Sequence, residues 1–135
     1  MSNVMARFKE FEELHIPKVL LIEDDESSQC LIMECLKRSV VVNIVLATGA
    51  IEGKVQFVQN QVDLVICDQN MNDGLGTEVL RFIRETGRET PFLLFTSQDR
   101  ETLPNISSFE HSYVQKPHIY RFIREVTHML SSHNC

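Results

Sequence analysis

Four acidic side chains stand in a row, Glu23-Asp24-Asp25-Glu26. Carboxylates this close repel one another, and a hard divalent cation that takes oxygen ligands, such as Mg2+, relieves the repulsion. A row of acids ahead of a helix also has a plainer use, capping the helix and favouring its dipole. Asp68 follows VDLVIC and precedes Gln-Asn-Met-Asn-Asp-Gly. An aspartate there is ordinarily a turn residue. Beside a divalent cation it is also a candidate nucleophile, because carboxylates form aspartyl-phosphates and the metal screens the charge of an incoming phosphoryl donor. Thr96 carries a hydroxyl that can donate to a phosphoryl oxygen or simply fill a strand. Lys116 precedes Pro117, which holds the residue before it extended, and its ammonium can pair with a phosphoryl group or face water. None of the four features is specific alone.

Their placement is more informative. Short apolar runs, VLLI (19–22), VNIVLA (42–47), VDLVIC (62–67), PFLLFT (91–96) and SYVQ (112–115), predict strands. Helical patterns predict helices over 29–38, 50–60, 77–85 and 118–130, with another expected near 99–109. This alternation argues for a parallel sheet with helices on both faces, and continuous rather than alternating apolar strands fit a sheet covered on both sides. In such sheets function collects at the carboxyl ends of the strands. The acidic row, Asp68, Thr96 and Lys116 each end a different predicted strand, so one sheet edge can bring them together.

The chain of 135 residues fits about one domain. With 43% hydrophobic and 24% charged residues it has the composition of a folded rather than a disordered chain. The net charge of −6, without a basic stripe, argues against nucleic-acid binding and for protein partners or cations. No apolar run approaches the roughly 20 residues that span a bilayer, and the N-terminus does not read as a signal peptide. Cys30, Cys35, Cys67 and Cys135 have neither CxxC nor zinc spacing, which fits reduced thiols of a cytoplasmic protein.

With these residues in place, the chain resembles the receiver domain of two-component response regulators. The likeness runs from about Lys18 to His133 and rests on KVLLIEDDES, DLVICDQNM, PFLLFTSQ and YVQKP. The spacings are family-like too: 44 residues from Asp24 to Asp68, 28 from Asp68 to Thr96 and 20 from Thr96 to Lys116. The resemblance implies a flavodoxin-like, doubly wound five-stranded parallel sheet of order 2-1-3-4-5. It makes Asp68 the phosphoacceptor, and Glu23, Asp24, Asp68 and Asn70 the residues around Mg2+. Thr96 and Lys116 would bind the phosphoryl oxygens, and Thr96 and Tyr113 would form the switch. Asp25 is an extra acid that could replace Glu23 or Asp24 at the metal.

Implied, too, are the partners: a sensor histidine kinase or histidine phosphotransfer protein that supplies the phosphoryl group, and a downstream target protein, with neither nucleic acid nor membrane bound directly. The expected function is a stand-alone, non-enzymatic receiver, residues 18–133, that switches protein binding or relays the phosphoryl group. Residues 1–17 precede it, with Val4, Met5, Phe8 and Phe11 at helical spacing. That segment is expected to pack on the domain or to join a partner.

Two other classes remain open. A phosphorylation-independent interaction module could use the same scaffold. An aspartyl-phosphate phosphatase would need an acid two residues after the nucleophile, where this chain has Asn70. Three departures from the family pattern stand out. Asn72 replaces the usual proline four residues after the phosphoacceptor, which predicts a looser loop. Ser97 replaces a small residue. The stretch 99–111 contains Pro104 and few apolar residues, which predicts a short or distorted helix. Asn70 and Gln98 fall where the family tunes phosphoryl loss.

Overall fold

The computed structural model of the chain describes residues 16–104 and 109–133. Strands β1 (Lys18–Ile22), β2 (Asn43–Ala47), β3 (Leu64–Cys67), β4 (Phe92–Thr96) and β5 (Ser112–Gln115) form one sheet. Their spatial order is β2-β1-β3-β4-β5, and every neighbouring pair is parallel. Parallel strands need long crossovers. Helices α1 (Glu26–Ser39), α2 (Ala50–Gln59) and α3 (Gly76–Glu85) supply the first three, and α4 (Ile119–His133) follows β5. This is the parallel sheet argued from the alternation of apolar runs, in the flavodoxin-like order that the family resemblance implies.

Successive strand residues face opposite ways, so each continuous apolar strand feeds two cores. Leu20, Ile22, Val65, Cys67 and Leu94 pack with Phe57 of α2 and Val79, Leu80 and Ile83 of α3. Val19, Leu21, Ile66, Leu93 and Phe95 pack with Ile32 and Leu36 of α1 and Phe122 and Val126 of α4. Phe95 and Phe122 stack at 4.3 Å between ring centroids, the short end of favourable aromatic packing.

The register brings the strand ends to one edge. Ile22 lies opposite both Ala47 and Cys67, and Thr96 lies opposite Gln115. Backbone bonds continue one residue past the strands: Glu23 N to Ala47 O at 3.0 Å, Asp68 N to Ile22 O at 3.1 Å and Lys116 N to Thr96 O at 2.8 Å. Glu23, Asp68 and Lys116 are thereby fixed by main chain before any side-chain contact forms.

Helix α1 begins a turn earlier than its apolar pattern predicts, because Asp25 caps it: Ser28 N donates to Asp25 Oδ2 at 2.9 Å. That bond also holds the Asp25 carboxyl below its ordinary pKa. Helix α2 has Gly49 at its N-cap and so no side chain of its own to cap it. Asp73, from the loop after Asp68, does the work at long range, accepting from Ala50 N at 2.7 Å and Ile51 N at 3.1 Å. A Cβ at residue 49 would lie 2.7 Å from Asp73 Oδ1, so only glycine allows the approach.

The two amide donors hold the Asp73 carboxyl below its usual range. Its stabilisation is therefore present above the unfolded carboxyl pKa of 3.8 and is lost as pH falls through the lowered folded value. An Asp73→Ala variant will melt below the wild type at pH 7, and thermal melts at decreasing pH will show the gap closing below pH 4. A gap that does not change with pH would rule the charged cap out.

Among the described residues of the stretch where a short or distorted helix is expected, Arg100–Thr102 form a three-residue 3-10 turn ahead of Pro104. The Thr102 hydroxyl donates to Asp99 O at 2.7 Å. Residues 105–108, the N-terminal stretch 1–15 with its predicted helix, and Cys135 lie outside the described residues. Among the described residues the cysteines are free thiols, and no helix is long and apolar enough to cross a membrane.

Candidate phosphoacceptor site

The ends of β1 and β3 bring three carboxylates together. Glu23, Asp24 and Asp68 each offer an oxygen, and these oxygens lie within 4.8 Å of one another. The end of β5 supplies the opposing charge. Lys116 Nζ donates to Glu23 Oε2 at 2.9 Å and to Asp68 Oδ2 at 3.4 Å, and it sits 5.7 Å from the centroid of the Phe95 ring. The Lys116–Pro117 peptide bond is cis.

Glu23 is buried, and burial pushes its carboxyl pKa up; the Lys116 bond opposes this and the Asp68 charge adds to it. Burial alone would lower the Lys116 ammonium, but the Glu23 bond and the Asp68 charge outweigh it and the net shift is upward. The ammonium is therefore firmly charged and is shared between two carboxylates.

Three acids around one cation leave a local excess of negative charge, in a set of hard oxygen donors on rigid strand ends. That donor chemistry fits an oxygen-seeking divalent ion such as Mg2+, which takes one or two carboxylates with phosphate and water. Asp25 stands apart from this group. Its carboxylate caps α1, and Glu26 lies in the first turn of that helix, so the second half of the acidic row serves the helix and not the cluster.

The loop after Asp68 is held at several points. Asp68 Oδ1 accepts from Gln69 N at 2.7 Å. The buried Gln69 side chain clamps the start of α3, accepting from Thr77 N at 2.9 Å and donating to Thr77 Oγ1 at 3.1 Å. Asn72 N donates to Asp24 Oδ2 at 2.9 Å. A proline at that position has no N–H and could not make this bond. The expected looseness is thus offset by an amide tie to Asp24 and by the Asp73 cap on α2.

Thr96 is buried, and its hydroxyl oxygen accepts from Gln98 N at 3.3 Å; it takes no part in the Lys116–Glu23–Asp68 bonds. Asn70 turns its side chain outward, where Nδ2 donates to Gln98 Oε1 at 2.7 Å. Tyr113 is half-buried with its hydroxyl donating to Gln98 O. Burial raises the phenol pKa, and the nearby Asp99 charge adds to the shift. Gln69, Gln98 as a hub, and the amide of Asn72 carry no local sequence signature. Their roles exist only once the strand ends converge.

This geometry is that of a known family. A family model for the response regulator receiver domain matches residues 19–125. The chain belongs to the response regulator receiver family. Receivers of this family act as phosphoacceptor switches in two-component signalling. A curated relative, response regulator MprA of Mycobacterium sp. (strain KMS), is 30% identical over 105 residues, covering 74% of this chain and 44% of that protein. The chain thus spans less than half the length of the curated relatives it matches.

Among solved structures, a Francisella response regulator 1452 receiver domain aligns with TM-score 0.77 at 22% identity, over 86% of this chain and 98% of that one. The Thermotoga maritima response regulator TrrA, in a complex with Mg(2+)-BeF, aligns with TM-score 0.76 at 24% identity, over 85% and 99%. At such identities the structural likeness establishes the fold.

Proposed function

We propose that Asp68 accepts a phosphoryl group from a phospho-histidine on a sensor histidine kinase or histidine phosphotransfer protein, and that the phosphorylated receiver changes its binding to a target protein. The observation that carries this reading is the Lys116 ammonium shared between Glu23 and Asp68, beside three carboxylate oxygens within 4.8 Å of one another. A carboxylate oxygen of Asp68 attacks phosphorus, the bond from phosphorus to the donor imidazole nitrogen breaks, and its electron pair stays on that nitrogen. Transfer of this kind is largely positioning and charge neutralisation.

Glu23, Asp24 and Asp68, with the Asn70 carbonyl, would hold Mg2+, which when bound neutralises charge on the phosphoryl oxygens. Lys116 is already aimed at Asp68 and would pair with the new group. Thr96 would exchange its bond with Gln98 N for one to a phosphoryl oxygen, and Tyr113 would move into the space so released. Phosphorylation adds about −1.5 to −2 charges and strong acceptors, enough to bias such a two-state element. The Thermotoga relative, which shares this fold, is in complex with Mg(2+)-BeF, which supports this reading.

The test is intact mass after incubation with a small phosphoryl donor, with Mg2+ and with Mg2+ chelated. A gain of one phosphoryl group only with Mg2+, mapped to the peptide containing Asp68, is expected. No gain from a chain shown to bind Mg2+ would leave a phosphorylation-independent interaction module as the better reading.

A further inference from the structure

We propose that residues 1–15 cover the outer face of α2. That helix is apolar on two sides. Ala50, Gly53 and Phe57 face the sheet and are buried, while Ile51, Val55 and Val58 are 63%, 45% and 62% exposed. These three stand at i, i+4 and i+7, one stripe along the helix. The neighbouring α3 is different, with Glu78, Arg81 and Glu85 at exposed positions. Glu52, Lys54, Gln56 and Gln59 lie between the two apolar faces of α2, and among the described residues the outer stripe has no cover.

The chain enters the sheet where a cover would have to come from. Helix α2 returns from the carboxyl edge of the sheet to its amino edge, so Val58 lies near the starts of the strands. Residues 16–18 are tied at that edge. Pro17 O accepts from Asn43 N at 2.8 Å, Lys18 N donates to Asp63 Oδ2 at 2.8 Å, and Asp63 N donates to Lys18 O at 2.8 Å. Asp63 follows the end of α2 by four residues.

The fifteen residues before Ile16 carry Val4, Met5, Phe8 and Phe11, at the same helical spacing as the stripe. Fifteen helical residues measure about 22 Å and the ten of α2 about 15 Å, so the segment is long enough to run beside the whole helix and turn at Pro17 into β1. Its apolar positions would then meet Ile51, Val55 and Val58.

The experiment is limited trypsin digestion of the full chain, followed by mass, with sedimentation to give the oligomeric state. Arg7 and Lys9 lie within the segment. In the wild-type monomer they should be cut at least about tenfold more slowly than in a free peptide of residues 1–17, because cleavage must wait for local opening. Val55→Glu and Val58→Glu should each restore most of the peptide rate. Phe8→Glu, which alters the segment and leaves α2 intact, should do the same, and far-UV circular dichroism checks that each variant is folded.

Wild-type cleavage as fast as in the peptide would overturn the proposal, leaving the face to another protein. So would rates unchanged by all three substitutions. A wild-type dimer that Val55→Glu dissociates would overturn it too, by making a second copy the cover.

Discussion

An Asp68→Asn variant is expected to take up no phosphoryl group and yet to melt above the wild type. The first half follows from the chemistry, since an amide oxygen is not a nucleophile that can form the acyl phosphate. The second half follows from the charges. At 3.4 Å and an effective dielectric near 20, Lys116 attracts Asp68 by about 5 kcal/mol. Glu23 and Asp24, each with an oxygen within 4.8 Å, repel it by about 3.5 kcal/mol apiece on the same scale.

Repulsion is the larger sum, and solvent screening reduces the difference to about 1 kcal/mol. Lys116 keeps its shorter bond to Glu23 when Asp68 is neutralised. The asparagine oxygen can still accept from Gln69 N. A rise in Tm of roughly 3–5 °C is expected for a domain of this size, read by thermal melts in the absence of Mg2+. Phosphoryl uptake by the variant in an intact-mass experiment would remove Asp68 as acceptor. A lower Tm would show that its bond to Lys116 is the stronger term.

Gly76→Ala should damage both stability and phosphoryl uptake. Helix propensity alone favours alanine by about 1 kcal/mol. Here the added Cβ would lie 2.3 Å from the Asp68 carbonyl oxygen and 3.0 Å from Leu94 Cδ1, well inside the roughly 3.5 Å of ordinary contact. The near atom is main chain and cannot swing aside. Gly76 is also anchored from the other direction, its N–H donating to Gln69 O at 2.8 Å. Relief must come from moving the segment that carries Asp68.

A net loss of about 2–3 kcal/mol is expected, in the range of overpacked cores, lowering Tm by roughly 10 °C. Displacing Asp68, the proposed nucleophile, by about 1 Å would slow phosphoryl uptake on the order of 10²-fold. The measurements are thermal melts and the initial rate of mass gain at a temperature where the variant is folded. A variant as stable as the wild type, phosphorylated at the same rate, would mean that the loop yields freely and that close packing beneath Asp68 is unimportant.

The sheet was legible because its strands are covered on both faces. VLLI, LVIC and FLLF are continuous apolar runs, and a polar or charged residue ends each. The convergence of Glu23, Asp24, Asp68 and Lys116 follows once those runs are parallel. The acids of the first strand end were harder to divide. Asp24 and Asp25 are the same residue type side by side, and only backbone direction sends one to the cluster and the other to the cap of α1.

Asp73 was invisible for a different reason. It caps a helix 23 positions earlier in the chain, so no local pattern announces it, and Gly49 reads as a loop residue rather than as the space the cap requires. Pro104 predicted a break in the stretch after β4, and residues 105–108 beyond it lie outside the described residues. Among the described residues a turn lies before it, where the Thr102 hydroxyl closes on Asp99 O.

Gln98 has four polar groups, and each is engaged with a different part of the molecule. Its N–H meets Thr96, its carbonyl meets Tyr113, its amide oxygen meets Asn70 and its amide nitrogen meets Thr102 at 3.1 Å. The loop after Asp68, both residues read as the switch and the 3-10 turn therefore share one fastener. A Thr96 hydroxyl that turned away would release the Gln98 N–H, on the residue whose carbonyl holds Tyr113 and whose side chain holds Asn70 at the mouth of the site. If Thr96 and Tyr113 move as proposed, the four bonds of Gln98 are exposed to that change together. Under that proposal Gln98 would serve as a detent, holding the present arrangement until Thr96 is drawn away.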